Sequence, residues 1–334
     1  MNKRFLHWSL WIIGLLGLLL VITMFSLSVG SSKIPFMKII PLLFDNQETT
    51  AKIILLNIRI PRIILGIAIG GALSISGVIL QGLFRNPLVE PYTLGISGGA
   101  ALGVCINIIC KLNHLSVATL PISGFIGAMV VVLLTYSLGM KKGILKIQGL
   151  LLTGVMISFI ATSLVMLLMA MSSSQNLQGI IFWIMGSLDE PDWILISIML
   201  VSSVAGLIIA YFFYTDLNAL ALGEEEARHL GVNVERTKKS LFLIASILTG
   251  VSVSVGGVIG FVGLAVPHVV RLFFGSDHRI VLIASYLVGA CFLVVCDTLA
   301  RTVIAPLELP VGVITGIVGG IIFVYALLKS NRNV

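Results

Sequence analysis

Charged residues are scarce in this chain of 334 residues. Lys, Arg, Asp and Glu together make up 10% of it, whereas the residues AVILMFWYC make up 58%. A soluble domain carries about 25% charged residues, because its surface must face water. The shortage of charge therefore excludes an ordinary soluble domain and predicts a protein whose surface mostly faces lipid or other helices.

Cysteine is also rare, and the common catalytic motifs are missing. The four cysteines, Cys105, Cys110, Cys291 and Cys296, form two i, i+5 pairs inside apolar segments and include no CxxC spacing. This pattern favours small apolar helix residues over a metal or redox site. The sequence has no GxxxxGK(S/T) nucleotide motif and no HExxH motif. We therefore expect a chain that is not an enzyme and has no catalytic residues, no metal site and no bound cofactor.

Long apolar runs dominate the sequence instead. A membrane-crossing helix needs about 20 mostly apolar residues, and a helix satisfies its own backbone groups in lipid. A transmembrane barrel is excluded because runs such as Ile12 to Ile22 do not alternate with period two. We predict an all-α polytopic membrane protein, a single transmembrane domain over residues 1–334 with about ten spans. The spans lie near 8–29, 61–82, 92–110, 117–138, 148–170, 191–213, 239–256, 259–273, 280–301 and 309–328.

The eighth predicted span differs from the others. It is short and Gly-rich, and it contains Pro267. Because Pro removes a helical hydrogen bond, we expect that this span does not cross as a full regular helix.

The distribution of Lys and Arg predicts the orientation. With the N-terminus inside, fourteen of the 21 basic residues fall on inner loops and ends, and seven fall outside. Basic residues concentrate on the cytoplasmic side of membrane proteins. This bias predicts that both termini are cytoplasmic, and the reverse orientation remains the alternative. It also explains the net charge of +7 without a nucleic-acid partner.

One predicted inner connection, over about 215–239, is longer than a turn. Gly223 precedes three glutamates, and acidic residues stabilise the positive N-terminal end of a helix. Gly231 is a natural helix stop. We expect a short helix outside the membrane here.

Four ordered segments carry a resemblance to a known family. The first is Arg59-Ile-Pro-Arg62 with the run that follows it to Ala100, and the second is Leu220 to Asn233. The third is Gly260 to His268 together with Arg271, Asp277-His-Arg279, Asp297 and Arg301. The fourth is Glu308-Leu-Pro-Val-Gly312 with the run that follows it to Gly320. Together they resemble the FecCD-type permeases of ABC importers for iron-siderophore complexes, haem and vitamin B12. The resemblance spans nearly the whole chain.

This resemblance implies a vitamin B12 importer-type fold and a set of partners. The partners are a second copy of the chain, two cytoplasmic ATPase subunits that use ATP, and an extracytoplasmic substrate-binding protein, all at the bacterial plasma membrane. The implied cargo is an iron-siderophore-type complex, with vitamin B12 or haem as alternatives. An ion-coupled secondary transporter is the less favoured alternative. Such proteins place ionisable residues at mid-membrane, whereas the middle of the predicted spans is almost empty of charge. A non-transporting scaffold is the third class.

The resemblance further implies that the cytoplasmic segment docks on the ATPase subunits. The residues concerned are Leu222, Gly223, Glu224, Glu225, Glu226, Ala227, Arg228, Leu230 and Gly231. The alternative is a solvated run of charges that caps a helix.

The resemblance also implies that Arg59, Arg62 and Arg301 receive acidic residues of the binding protein. Arg suits this role because its guanidinium can donate two parallel hydrogen bonds to one carboxylate. The alternatives are snorkelling at the membrane interface or an internal pair, because Asp297 lies one turn before Arg301.

A small, mildly polar face lies on the fifth predicted span. Gly154, Ser158 and Thr162 are spaced i, i+4 and i+8, which places them on one side of a helix. This face could line a translocation path, and close helix packing explains it equally well. The resemblance implies that the fifth and tenth spans lie near the axis shared by two copies.

Overall fold

The computed structural model describes residues 3–30, 34–44, 47, 49–141, 144–190 and 192–330. Within these ranges the chain forms fifteen α-helices and one two-stranded hairpin. In chain order the helices are α1 (Lys3–Ser28), α2 (Phe36–Phe44), α3 (Thr50–Ile54), α4 (Ile60–Phe84), α5 (Ile96–Ile109), α6 (Thr119–Gly139), α7 (Ile147–Ala170), α8 (Ser174–Met185), α9 (Trp193–Phe212), α10 (Tyr214–Leu222), α11 (Glu224–His229), α12 (Val234–Gly256), α13 (Val262–Phe274), α14 (His278–Thr302) and α15 (Val311–Ser330). The strands are β1 (Met140–Lys141) and β2 (Ile144–Leu145), paired antiparallel between α6 and α7.

Ten of the fifteen helices match the ten predicted spans in order: α1, α4, α5, α6, α7, α9, α12, α13, α14 and α15. Among the described residues, eight helices are long and apolar enough to cross a membrane, and α5 and α13 are two shorter apolar helices. The all-α prediction of about ten spans is therefore confirmed. The sequence pattern missed α8 and the two small helices before α4, because these elements are short and lie in the predicted outer connections.

Helix α4 is the centre of the bundle. Within its most apolar stretch 89% of the residues are buried, against 11% for α1. Helices α9, α12, α13 and α14 all pack on α4. The lipid-facing side of the bundle is therefore formed by peripheral helices such as α1, whose apolar residues are mostly exposed.

Glycine permits the close approach of helices to α4. A Cβ atom at Gly70 would overlap the carbonyl oxygen of Gly289 in α14. A Cβ atom at Gly77 would overlap the carbonyl oxygen of Gly263 in α13. Small residues at such contacts allow the backbones of membrane helices to touch.

The helical structure is interrupted between α12 and α13. Phe261, which precedes α13, has a φ of 67°, in the left-handed region. Its backbone N–H donates to Glu90 Oε1 at 2.6 Å, and the N–H of Ile259 donates to the Tyr92 hydroxyl at 3.3 Å. Buried side chains thus supply acceptors that a continuous helix would have supplied, which non-helical backbone at membrane depth requires.

The short eighth span is confirmed, and the reason differs from the one predicted. Helix α13 has 13 residues, and Pro267 lies inside it without ending it. The helix is short because it starts late, after the interruption at 257–261.

The bundle has two distinct ends. One, here called the α11 end, holds α10, α11 and the start of α14, where Asn218 Nδ2 donates to Asp277 Oδ1 at 3.0 Å. The indole ring of Trp8 lies 5.8 Å from the guanidinium of Arg279, so α1 begins at this end too. Helix α15 starts near Glu308 at the opposite end and runs back. Both ends of the described chain therefore lie at the α11 end, and the opposite end is here called the Arg62 end.

Candidate functional site: two polar ends of a membrane bundle

The segment predicted to contain one short helix contains two, α10 and α11. Gly223 separates them with a φ of 143°, and a Cβ atom there would overlap the carboxylate of Glu226. Glutamates occupy the whole first turn of α11, where they complement the positive helix end. Gly231, with a φ of 86°, follows the helix. The predicted start and stop of the helix are thus confirmed.

Helix α11 presents a mixed surface to the outside. Of the residues predicted to dock on the ATPase subunits, five have exposed side chains and form what we call, after that predicted role, the docking surface: Leu222, Glu225, Glu226, Arg228 and Leu230. Beside it lies an open groove of about 720 Å³ lined in part by Asp216, Asn233 and Arg236. Two exposed leucines set among charges are suited to a protein partner, whose contact residues combine apolar and polar groups.

Glu224 belongs to the same helix and points inward. Its carboxylate lies 3.1 Å from the Nζ atom of Lys238, which also lies 2.8 Å from Glu235 Oε1. Lys238 is only 1% exposed. Of the glutamates predicted to contact the ATPase, Glu225 and Glu226 are therefore exposed, whereas Glu224 is bound to its own subunit.

Burial of Lys238 could have been noticed in the sequence. It falls on one helical face with Val234, Leu241 and Ala245, which are all buried. A lysine on an apolar stripe needs a partner when it is buried. This pattern indicates a buried, paired lysine, which is missing from the predictions made from the sequence.

At the Arg62 end, the three predicted arginines are buried. Arg59 donates to the carbonyl oxygen of Leu27. Arg301 donates to Asp297 Oδ2 and to Ser26 Oγ, both at 2.9 Å. The internal pair that the sequence left open as an alternative for Arg301 is therefore present.

Arg62 is bound by two acidic residues that the sequence analysis missed. Its NH2 atom donates to Glu308 Oε2 at 2.7 Å, and its Nε atom lies 3.6 Å from Asp189 Oδ1. The Asp189 side chain is 69% exposed and that of Glu308 49% exposed. The groups that this end presents to solvent thus include carboxylates, with the arginines beneath them.

Next to Asp189, Glu190 is partly buried in the connection between α8 and α9. Burial raises the pKa of the Glu190 carboxyl above its usual range, and the charges of Asp192 and Asp189 add to the rise. This connection therefore concentrates acidic groups that repel one another, within reach of Arg62.

The predicted small face on α7 is divided by the structure. A Cβ atom at Gly154 would lie 2.8 Å from Leu94 Cα, so Gly154 packs on the turn before α5. Ser158 donates to the carbonyl oxygen of Gly154 at 2.9 Å and lies against Gly98. Thr162 is exposed. Close packing accounts for the first two residues, and of the three only Thr162 is exposed.

The comparisons with known proteins place this multi-pass bundle, with an exposed charged helix at one end and an ionic cluster at the other, in the class of membrane permease subunits. A sequence model of the FecCD transport family matches residues 18–329. The chain belongs to that family.

Relatives match along almost their full length. The hemin transport system permease HmuU of Yersinia pestis is 40% identical over 328 residues, which cover 96% of each chain. The vitamin B12 import system permease BtuC of Salmonella typhi is 34% identical over 322 residues, again 96% of each. A solved structure described as a metal-chelate type ABC transporter in an inward-facing conformation superposes with a TM-score of 0.86 at 28% identity, covering 96% of this chain and 99% of that one.

The buried pair at the Arg62 end generates a prediction about stability. We expect Asp297→Leu and Arg301→Met each to lower the melting temperature of the purified protein, because each leaves a buried charge unpaired, at a cost of about 3–5 kcal/mol. The double variant should lose less than the sum of the two. Glu308→Gln is the control, since a half-exposed partner contributes only about 0.2–1 kcal/mol. Small and additive effects of the two single variants would contradict the internal pairing.

Proposed function

We propose that this chain is the membrane permease subunit of a binding-protein-dependent ABC importer that carries an iron-siderophore-type complex into the cytoplasm. The single observation that supports it most is the family match over residues 18–329 of a chain that carries a docking surface at one end. Relatives named for haem, for vitamin B12 and for siderophores all match. Haem and vitamin B12 are therefore the alternative cargoes.

In this proposal the energy comes from other subunits. The sequence lacks a GxxxxGK(S/T) motif, so two partner ATPases bind and use the ATP, and this chain is neither an enzyme nor a holder of a cofactor. The ATPases bind the docking surface, which makes the α11 end cytoplasmic. Both termini are then cytoplasmic as well, in agreement with the bias of basic residues towards that side.

The Arg62 end receives the extracytoplasmic binding protein. Arg62 is held by Asp189 and Glu308, whose carboxylates are largely open to solvent. An acidic residue of the binding protein can exchange with one of them, because the guanidinium can donate to the new carboxylate instead. Arg59 and Arg301 lie deeper and act by holding this region in place.

Two copies of the chain enclose the path. Helix α15 carries an exposed apolar stripe that includes Ile317, Ile321 and Leu328. Helix α7 exposes Thr162 among apolar neighbours. In the proposed homodimer these two helices lie near the shared axis in the plasma membrane, and Thr162 faces the passage.

Uptake of labelled cargo tests the function. In a strain that lacks this gene, we expect the restored protein to return uptake of a radiolabelled ferric siderophore, measured beside labelled haem and labelled vitamin B12. The purified chain alone should hydrolyse no ATP. If only haem uptake or only vitamin B12 uptake is restored, that compound is the cargo and the siderophore assignment is wrong. Restored siderophore uptake without the ATPase gene would refute the ABC mechanism.

Charge reversal tests the docking surface. We expect Glu225→Lys with Glu226→Lys to weaken binding of the ATPase by about tenfold or more, because like charges at an interface repel. Lys111→Glu, an exposed reversal in the connection after α5, is the control. Binding is measured by co-purification and by titration in nanodiscs. If a variant whose residues 222–231 are replaced by a Gly-Ser linker still assembles normally with the ATPase, this segment is not the docking site.

Bulky substitutions on α7 test the passage. We expect Thr162→Trp to block uptake while the dimer and its ATP hydrolysis remain intact, because the side chain fills open space. Ser158→Trp should instead overpack the contact with α5, at about 1–3 kcal/mol, and lower the yield. Uptake and melting temperature are measured on both. Normal uptake by the Thr162→Trp variant would mean that this face does not line the passage.

A further inference from the structure

Lys238 is the most deeply buried charged residue that the proposed function does not use. Its Nζ atom lies 3.1 Å from Glu224 Oε2, 2.8 Å from Glu235 Oε1 and 3.1 Å from the carbonyl oxygen of Leu145. An ammonium has three N–H donors and no acceptor. Three acceptor atoms from three residues thus surround the ammonium: Glu224 and Leu145 accept hydrogen bonds from it, and Glu235 Oε1 forms an ion pair with it.

Glu235 and Lys238, which contact each other, also both contact the backbone of Leu145. The second carboxylate oxygen of Glu235, Oε2, accepts from the backbone N–H of Leu145 at 3.0 Å. Leu145 is therefore held through both its N–H and its carbonyl oxygen. We call the group formed by Lys238, Glu224, Glu235 and Leu145 the Lys238 cluster.

The members of the Lys238 cluster come from three separate segments. Glu224 opens α11, Glu235 and Lys238 lie in the first turns of α12, and Leu145 ends the hairpin that joins α6 to α7. Helix α11 has six residues, and a helix so short is not stable by itself. Its orientation relative to the bundle therefore depends on contacts of this kind.

Stability alone does not require an ammonium here. A buried ion pair contributes little net stability compared with well-packed apolar residues, because both charges must leave water. What a lysine with three fixed acceptors supplies is position. A displacement of Glu224 moves Lys238, and Lys238 moves both α12 and the hairpin before α7.

We infer that Lys238 is a positioning residue for energy coupling, which links the ATPase-docking helix to α12 and to α7 through one ammonium group. The inference rests on the proposed function, in which a partner ATPase moves α11. It adds that the movement reaches the membrane helices through the Lys238 cluster. Within this cluster, the contact with Leu145 connects α11 to α7, the helix proposed to line the path.

The test uses the complete transporter, with ATPase and binding protein, in proteoliposomes. ATP hydrolysis and cargo uptake are measured in the same preparation, together with ATPase binding and melting temperature. For Lys238→Met we expect ATPase binding and hydrolysis to persist and uptake per ATP to fall about tenfold, within the usual range of coupling between sites. Lys146→Met, the same change at an exposed lysine beside Leu145, should leave this ratio unchanged.

A second variant guards against a general failure to fold. Glu224→Gln weakens only the link to α11 and leaves Lys238 with Glu235 and Leu145. We expect it to lower uptake per ATP in the same direction. Lys238→Glu should uncouple fully, and Lys238→Glu with Glu224→Lys should recover part of the ratio, because the opposite charges face each other again.

The outcomes separate the inference from the proposed function. A lower melting temperature with unchanged uptake per ATP in the assembled fraction would mean that Lys238 is only structural, and would overturn the inference. Loss of ATPase binding in Lys238→Met would also overturn it, because the residue would then shape the docking surface itself. Full assembly of the linker variant would instead refute docking at α11, on which the inference depends.

Discussion

Contact between helix backbones around α4 is the constraint on which the rest of the structure depends. At Gly70 and Gly77 no side chain separates α4 from α14 and α13, so these helices are held by the shape of the backbone itself. In lipid, apolar side chains gain little by associating with each other, and such close packing must supply the cohesion. The polar groups at both ends can be arranged only because this core fixes the directions of the helices.

The two ends use charge in different ways. At the Arg62 end, long-range pairs join α4 to the connections before α9 and α15, and two of the carboxylates remain open to solvent. At the α11 end, the charges of Lys238, Glu224 and Glu235 are turned inward, and the docking surface is left to other residues of α11. In our proposals, one end therefore exchanges partners at its surface, whereas the other transmits position through its interior.

The parts that the sequence predicted are those that depend on local pattern. Apolar runs located the ten spans, and Gly223 and Gly231 located the ends of α11. The pairing of Arg62 with Glu308 joins residues 246 positions apart, and no local pattern contains it. The packing of Ser158 depends likewise on Gly95 and Gly98, which lie far from it in the sequence. An arginine in isolation suggests solvent exposure, so the internal contact of Arg59 with Leu27 required the folded chain.

The interruption at 257–261 limits how far a displacement of α12 can travel. A continuous helix would carry a tilt or rotation from Lys238 along its whole length. Here α12 ends at Gly256, and the segment before α13 is attached through Glu90 and Tyr92 to the connection between α4 and α5. If α12 moves as inferred above, the movement therefore does not pass to α13 through a continuous helix, and the start of α13 keeps its hydrogen bonds to the connection between α4 and α5.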